Sequence, residues 1–192
     1  MICLNWGTKY PKKYVHILEA MVKRNLTVPH KFICFTDDPT GYTCETRPLP
    51  SGLNGWWNKV YLFKEGLFTE KTLFLDLDIV ITGNLDELVK FEGFMAIKDW
   101  NYDSYNSSVM ILGHHPELWD DFKPEVTENL HGDQDWITQR LKFRNYFPEN
   151  WIKSFKTNCL AGVPKDCKIV VFHGDPKPHM AMRKWVNELW RL

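Results

Sequence analysis

The chain has no apolar run approaching the roughly 20 residues that a membrane-spanning helix needs. Its opening Met1-Ile2-Cys3-Leu4 lacks the charged and apolar regions of a signal peptide. It has no excess of either charge: 24 Lys and Arg stand against 24 Asp and Glu, and no basic run breaks the balance. A nucleic-acid partner is therefore not expected, because backbone phosphates are gripped by a concentrated positive footprint. Cysteine is sparse, with five residues (Cys3, Cys34, Cys44, Cys159, Cys167) and no Cys-x-x-Cys spacing. That pattern fits neither a disulfide framework nor a zinc site, and it reads as reduced, buried thiols of a cytoplasmic protein. The sequons at Asn25 and Asn106 are then fortuitous. Internal repeats, low-complexity tracts and linkers are also missing, so residues 1–192 are expected to form one domain.

Aromatic residues are plentiful, at 15% with 9 Trp. Core packing accounts for most such residues, although aromatic faces also suit the apolar faces of sugar rings.

Strand-like and helix-like segments alternate along the chain. Met1–Trp6 reads as a strand, and Tyr14, Leu18, Met21 and Val22 recur at helical spacing over 12–25. Lys31–Thr36 is a second strand, Thr43–Arg47 a short third, and 54–66 a helix carrying Trp57 and Lys59. Thr72–Asp76 is the next strand and Asp86–Lys90 a short helix, followed by strands over Gly93–Ile97 and Ser107–Leu112. Helices near 116–130 and 133–142, a strand over Ile169–Phe172 and an amphipathic helix over 179–191 complete the series. Such alternation implies an α/β fold: a mostly parallel, Rossmann-like central sheet with helices on both faces. The last helix, with Trp185, Leu189 and Trp190 near Arg183, Lys184 and Arg191, could touch a membrane surface. Docking on its own domain is the favoured reading.

The most informative segment is Leu73-Phe74-Leu75-Asp76-Leu77-Asp78-Ile79-Val80. Side chains at i and i+2 of a strand share a face, so Asp76 and Asp78 are expected to converge at the strand's carboxyl edge. Two like charges leaving a buried strand invite a divalent cation, which takes carboxylate oxygens and sits beside substrate phosphates. The triplet alone is weak, since Asp is also favoured in a solvated turn after a strand. Near the C-terminus, Phe172-His173-Gly174-Asp175-Pro176-Lys177-Pro178 places an imidazole at a strand end. His173 is a candidate third metal ligand, and a nitrogen beside carboxylates leans the site from Mg²⁺ towards Mn²⁺. Gly174 permits close backbone approach, and Lys177, framed by prolines, suits a phosphate. A satisfied histidine in a solvated loop is the ordinary alternative. His131-Gly132-Asp133-Gln134-Asp135-Trp136 opens a helix, where one acid is ordinary capping and the set could instead hold sugar hydroxyls. Asn106-Ser107-Ser108 suits the same role, and Lys59 could reach a phosphate or a carboxylate.

Taken in order, strand-DxD, Asn-Ser-Ser-Val, Asp-Gln-Asp and His-Gly-x-x-Lys-Pro resemble the GT-A nucleotide-sugar glycosyltransferases, most closely glycosyltransferase family 8, over nearly the whole chain. The resemblance implies a metal-dependent transfer of a sugar from a nucleotide-sugar donor, a UDP-sugar, to an acceptor hydroxyl on a glycan, lipid or protein. It implies that Asp76, Asp78 and His173 hold Mn²⁺ or Mg²⁺, with Leu77 between the two acids. Gly174 and Lys177 would close over the diphosphate, and Asn106 and Ser107 would face donor sugar and acceptor. Asp133, Gln134 and Asp135 would lie near the anomeric carbon. Trp6, Gly7, Thr8 and Lys9 would form the nucleobase loop, and Lys59 would stand near the donor. His179 stands where that family commonly has Trp after Lys-Pro. An inverting reaction would add a carboxylate base, for which Asp99, Asp103, Asp133 and Asp135 are candidates.

Two other readings compete. A phosphatase of the haloacid dehalogenase type also carries DxD at a strand end, with the first acid, here Asp76, as nucleophile. Its motif usually follows the first strand, whereas at least two strands precede Asp76. A non-catalytic nucleotide-sugar-binding module on the same fold is the other.

Overall fold

The central strands are apolar on both faces because both faces are covered. The computed structural model describes residues 1–192. Its larger sheet is six-stranded, in the order β3-β2-β1-β4-β7-β6. These strands are β1 (Ile2–Asn5), β2 (Ile33–Thr36), β3 (Glu45–Pro48), β4 (Leu73–Leu75), β6 (Met95–Lys98) and β7 (Tyr105–Ile111). β3, β2, β1 and β4 pair in parallel, and β7 runs antiparallel between β4 and β6. Alternation along the strands divides two cores. Cys3, Cys34, Leu73, Leu75, Val109 and Ile111 face one, while Ile2, Ile33, Phe35, Phe74 and Met110 face the other.

The first core is closed by α1 (Lys13–Asn25) and by a second sheet of three strands, β5 (Ile79–Ile81), β9 (Ile169–Val171) and β8 (Ile152–Ser154). α1 turns Tyr14, Val15, Ile17, Leu18, Met21 and Val22 inward at the helical spacing expected of it. The second core is covered by the segment Gly55–Phe63, by α2 (Glu117–Asp120) and by α4 (Asp133–Arg140). All five cysteines are free thiols, four of them buried, and Cys3 lies opposite Cys34 on neighbouring strands.

Several expected elements differ in detail. The segment over 54–66 is 3₁₀ rather than α, over Gly55–Phe63, and the short helix at Asp86–Lys90 is a 3₁₀ turn, Leu88–Lys90. The helix near 116–130 is two short ones, α2 and α3 (Val126–Asn129), because Pro124 between them offers no N–H to continue the first. The terminal helix shrinks to a 3₁₀ turn at Pro178–Met180 and α6 (Lys184–Leu189). Strands β5 and β8 and the single-turn α5 (Phe155–Asn158) were not expected, since three or four residues are too few to show a period.

The terminal segment docks on its own domain. Val186 is buried, Trp190 packs edge-on against Tyr14 at 4.9 Å between centroids, and Arg24 donates to the carbonyls of Leu189 and Arg191. No helix is long and apolar enough to cross a membrane.

Candidate active site

At the carboxyl end of β4 the chain leaves one sheet for the other. Asp76 N–H donates to the Ser108 carbonyl at 2.8 Å, extending the β4–β7 ladder by one residue. The Asp78 carbonyl accepts from Phe172 N–H at 2.9 Å, the first link of the second sheet. Asp76-Leu77-Asp78 is thus a bridge between sheets, with Leu77 buried beneath it. Strand alternation is not what joins the carboxylates, because β4 ends at Leu75. They meet because the bridge is pinned at both ends over one cleft of about 550 Å³.

Antiparallel pairing of Ile79 with Val171 sets the residues before β5 beside the residues after β9. Asp78 therefore faces the His173–Lys177 loop across 99 residues of sequence, and Lys177 Nζ donates to its carboxylate. Tyr10, at the end of the loop after β1, donates its hydroxyl to the same oxygen at 2.8 Å. Burial, and then the Asp78 charge, push the Tyr10 phenol far above its ordinary value, so it is a fixed donor.

Asp76 pairs with Lys59, whose Nζ lies 2.9 Å from Oδ1 and donates to Ser107 Oγ at 3.1 Å. The same ammonium stands 3.9 Å from Asp133 Oδ2, an attraction but too long for a hydrogen bond. Burial pulls Lys59 down, yet Asp133 and Asp76 outweigh it and hold the ammonium charged. Burial pushes the Asp76 carboxyl up, Lys59 opposes this, and the charge of Asp78 adds to it. The cost of gathering these acids is met mainly by Lys59 and Lys177.

His173 Nε2 lies 2.7 Å from the fully buried Ser154 Oγ, and its ring stacks on Trp100 at 5.3 Å and 13°. Burial first, then the ammonium of Lys156, draw His173 below its ordinary value and keep it neutral at neutral pH. On the opposite wall Asp133, Gln134 and Asp135 open α4. Asp133 is only 4% exposed, and its Oδ2 accepts no hydrogen bond. Asp135 accepts from His131 N–H at 3.1 Å, which ties the preceding loop to the first turn, and no side chain caps the helix. Asn106 and Ser107 reach the cleft because the β6–β7 ladder jumps from Ala96–Met110 to Ile97–Asn106, leaving Ser107 and Ser108 unpaired with β6.

Most of the residues singled out in the sequence therefore line one cleft: Trp6, Lys9, Lys59, Asp76, Leu77, Asp78, Asn106, Ser107, Asp133, Gln134, Asp135, His173, Gly174 and Lys177. Gly7 and Thr8 lie on the exposed rim outside the lining, where Gly7 N–H donates to the Asp37 carboxylate. Asp103 is not brought to the cleft. It sits on an exposed turn closed by Asp99 N–H donating to the Ser104 carbonyl at 2.9 Å, and the Asp99 carboxylate accepts from Asn101 and Tyr102. No three His, Cys, Asp or Glu side chains are gathered closely enough to enclose a cation; Lys177 lies on Asp78 and Lys59 on Asp76. Trp6 also walls a second hollow of about 410 Å³ beyond the ends of β2 and β3, between Asp37, Arg47 and Asn54.

Three participants escaped the sequence reading, Trp56, Trp100 and Ser154, whereas Tyr10 ends the Trp6–Tyr10 loop expected at the cleft and only its bond to Asp78 was not foreseen. Trp56, 52% exposed, lies over Gly132, where a Cβ would meet its Nε1 at 3.2 Å. Its only signal was adjacency to Trp57. Nothing local marked Ser154.

A cleft of this construction, acids at the carboxyl edge of a mostly parallel sheet with a small second sheet beside it, is that of the GT-A glycosyltransferase fold, and solved structures bear this out. The galactosyltransferase LgtC, solved with donor and acceptor sugar analogues, superposes with a TM-score of 0.67 over 98% of this chain and 94% of its own, at 12% identity. An active-site mutant of LgtC matches equally, at TM-score 0.67 and 13% identity over 98% of this chain and 93% of its own. The glycosyltransferase GlyE of Streptococcus pneumoniae TIGR4 matches at 0.65 and 14% identity, over 97% of this chain and 63% of its own. No protein-family model and no curated protein sequence matches the chain. The likeness is one of fold.

Proposed function

We propose that the chain is a glycosyltransferase that moves a sugar from a nucleotide-sugar donor, a UDP-sugar, to an acceptor hydroxyl. The observation that carries this reading is the pairing of two acids, Asp78 buried and Asp76 partly so, with two lysines on one cleft floor, Asp76 with Lys59 and Asp78 with Lys177. Acids alone suit a cation and lysines alone suit phosphate. Both together suit a metal-bound diphosphate. The donor and acceptor analogues named for LgtC support the same class of ligands here.

In donor type the residues present suit Mn²⁺, or Mg²⁺ in its place, and to hold it they would have to leave their engagements with Lys59, Lys177 and Ser154. Asp76 and Asp78 are hard oxygen donors, and His173 is neutral, the form that ligates. When bound, the ion would stabilise charge on the departing diphosphate. Lys177 can exchange Asp78 for a phosphate oxygen, and Gly174, at φ +65°, lets the backbone approach the ligand. Asn106, Ser107, Gln134 and Asp135 offer polar groups to the sugar from two sides. Asp133 Oδ2, buried and without a hydrogen bond, places a negative charge behind Lys59 at the wall of the cleft. Trp6 and the adjoining 410 Å³ hollow leave room for the nucleobase. Nothing favours the phosphatase reading: β4 is the fourth strand and lies beside antiparallel β7.

Calorimetric titration of UDP tests the proposal. Binding is expected with Mn²⁺ and lost with EDTA or in Asp78→Ala, and the wild type should slowly hydrolyse its UDP-sugar without acceptor. UDP binding indifferent to both metal and Asp78 would refute the metal-bound diphosphate. Binding without turnover of any UDP-sugar would leave a binding module.

A further inference from the structure

Parallel pairing of β8 with β9 sets Ser154 opposite Val171. The segments that leave the two strands therefore run side by side. Ser154 Oγ meets His173, Phe155 stacks on Phe172 at 4.3 Å and 17°, and Lys156 lies over Gly174. A Cβ built on Gly174 would stand 2.8 Å from Lys156 Nζ. The ammonium is thus at van der Waals distance from the glycine that lines the cleft.

Lys156 is exposed and forms no ion pair, unlike Lys59 and Lys177, which are each engaged by an acid. Asp76, Asp78, Asp133 and Asp135 already offset those two lysines. A dianionic ligand entering beside Gly174 would need further positive charge, and Lys156, bordering the lining at Gly174, is like Lys9 within it a cation not already engaged by an acid. Its position has a structural cause: Phe155 is 3% exposed and locked in the stack, so the next residue must project over the loop.

We infer that Lys156 is a second phosphate-binding lysine of the cleft, closing on the diphosphate from the β8 side while Lys177 holds it from the β9 side. This rests on the donor reading above, and it assigns a role to Ser154-Phe155-Lys156, a segment outside every motif recognised in the sequence.

The test is calorimetric titration, in Mg²⁺ buffer, of UDP, inorganic pyrophosphate and uridine. The proteins are wild type, Lys156→Met, Lys156→Arg and Lys165→Met. The Met substitution keeps the stem and removes the charge; Lys165 is an exposed lysine at the other end of β9 and controls for net charge. Lys156→Met should bind UDP and pyrophosphate roughly tenfold more weakly, the factor equivalent to about 1.4 kcal/mol for one charge-assisted hydrogen bond. Uridine binding should not change, Lys156→Arg should regain most of the affinity, and Lys165→Met should match wild type. UDP affinity equal in wild type and Lys156→Met overturns the inference and leaves the donor reading standing. Pyrophosphate binding that depends on Lys156, with UDP no tighter, upholds the inference and sinks the UDP assignment. Failure of wild type to bind either anion overturns both.

Discussion

Replacing Lys59 by Met is expected to unfold the protein more readily than any surface charge change. Lys59 is 8% exposed and pairs with Asp76 at 2.9 Å, with Asp133 at 3.9 Å behind it. Met fills a similar volume, so little cavity forms. What remains is two carboxylates, Asp76 and Asp133, without their shared cation. Breaking a buried pair from one side costs about 3–5 kcal/mol. Because the Asp76 side chain is 22% exposed, the lower end applies, about 3 kcal/mol. For a domain of this size, about 2–4 °C per kcal/mol gives a fall in Tm of roughly 6–12 °C. The assay is calorimetric unfolding in metal-free buffer. The penalty also has a pH signature. The Asp76 carboxyl is already raised by burial, and losing Lys59, its principal opposing charge, raises it further. A group with a raised native pKa binds its proton more readily folded than unfolded, so stability falls as pH rises through that pKa. The deficit of Lys59→Met should therefore shrink on acidification, as Asp76 takes up a proton. Lys59→Met/Asp76→Asn, which removes the stranded charge nearest the lost ammonium but leaves Asp133, should recover part of the loss. A Tm indistinguishable from wild type, or a double variant no more stable than the single one, would refute the assignment of Lys59 as the counter-ion of Asp76.

Two glycines should respond to different degrees. Gly113→Ala places a Cβ at φ +62° and 2.7 Å from the Phe94 backbone nitrogen, which cannot step aside, so strain of about 3 kcal/mol and a Tm lower by roughly 6–12 °C are expected. Gly174→Ala meets the mobile end of Lys156 instead, so about 1 kcal/mol of left-handed strain should lower Tm by roughly 2–4 °C, while UDP affinity falls as the ammonium is displaced. Thermal unfolding and UDP titration of both variants check the contrast, and equal stability losses would contradict it.

The strands were legible because their signal is local. Apolar residues throughout Ile2–Leu4 and Leu73–Leu75 declare a sheet covered on both faces, and that coverage is what the two cores supply. Helix α1 was legible for the same reason, with six inward residues at period 3.6. The cleft was largely legible too, because residues just beyond carboxyl strand ends gather in such folds wherever the intervening chain goes. Asp103 misled, since an acid near a strand end says nothing of which side chains of a turn face the cleft: Asp99, in the same turn, accepts from the cleft residue Asn106, while Asp103 is exposed outside it. β5 and β8 were invisible, being three residues each and held by pairing with β9 rather than by any pattern of their own.

Residue order alone thus determined the alternating architecture, the acids beyond β4 and the His173–Lys177 loop, because each is written in spacings of a few residues. Tertiary structure alone decided which charges meet. Lys59 with Asp76, Lys177 with Asp78, and Ser154-Phe155-Lys156 over Phe172-His173-Gly174 are contacts between segments far apart in sequence. They are set by strand register, since a shift of one residue in β8 against β9 would turn Ser154 away from His173 and carry Lys156 off Gly174.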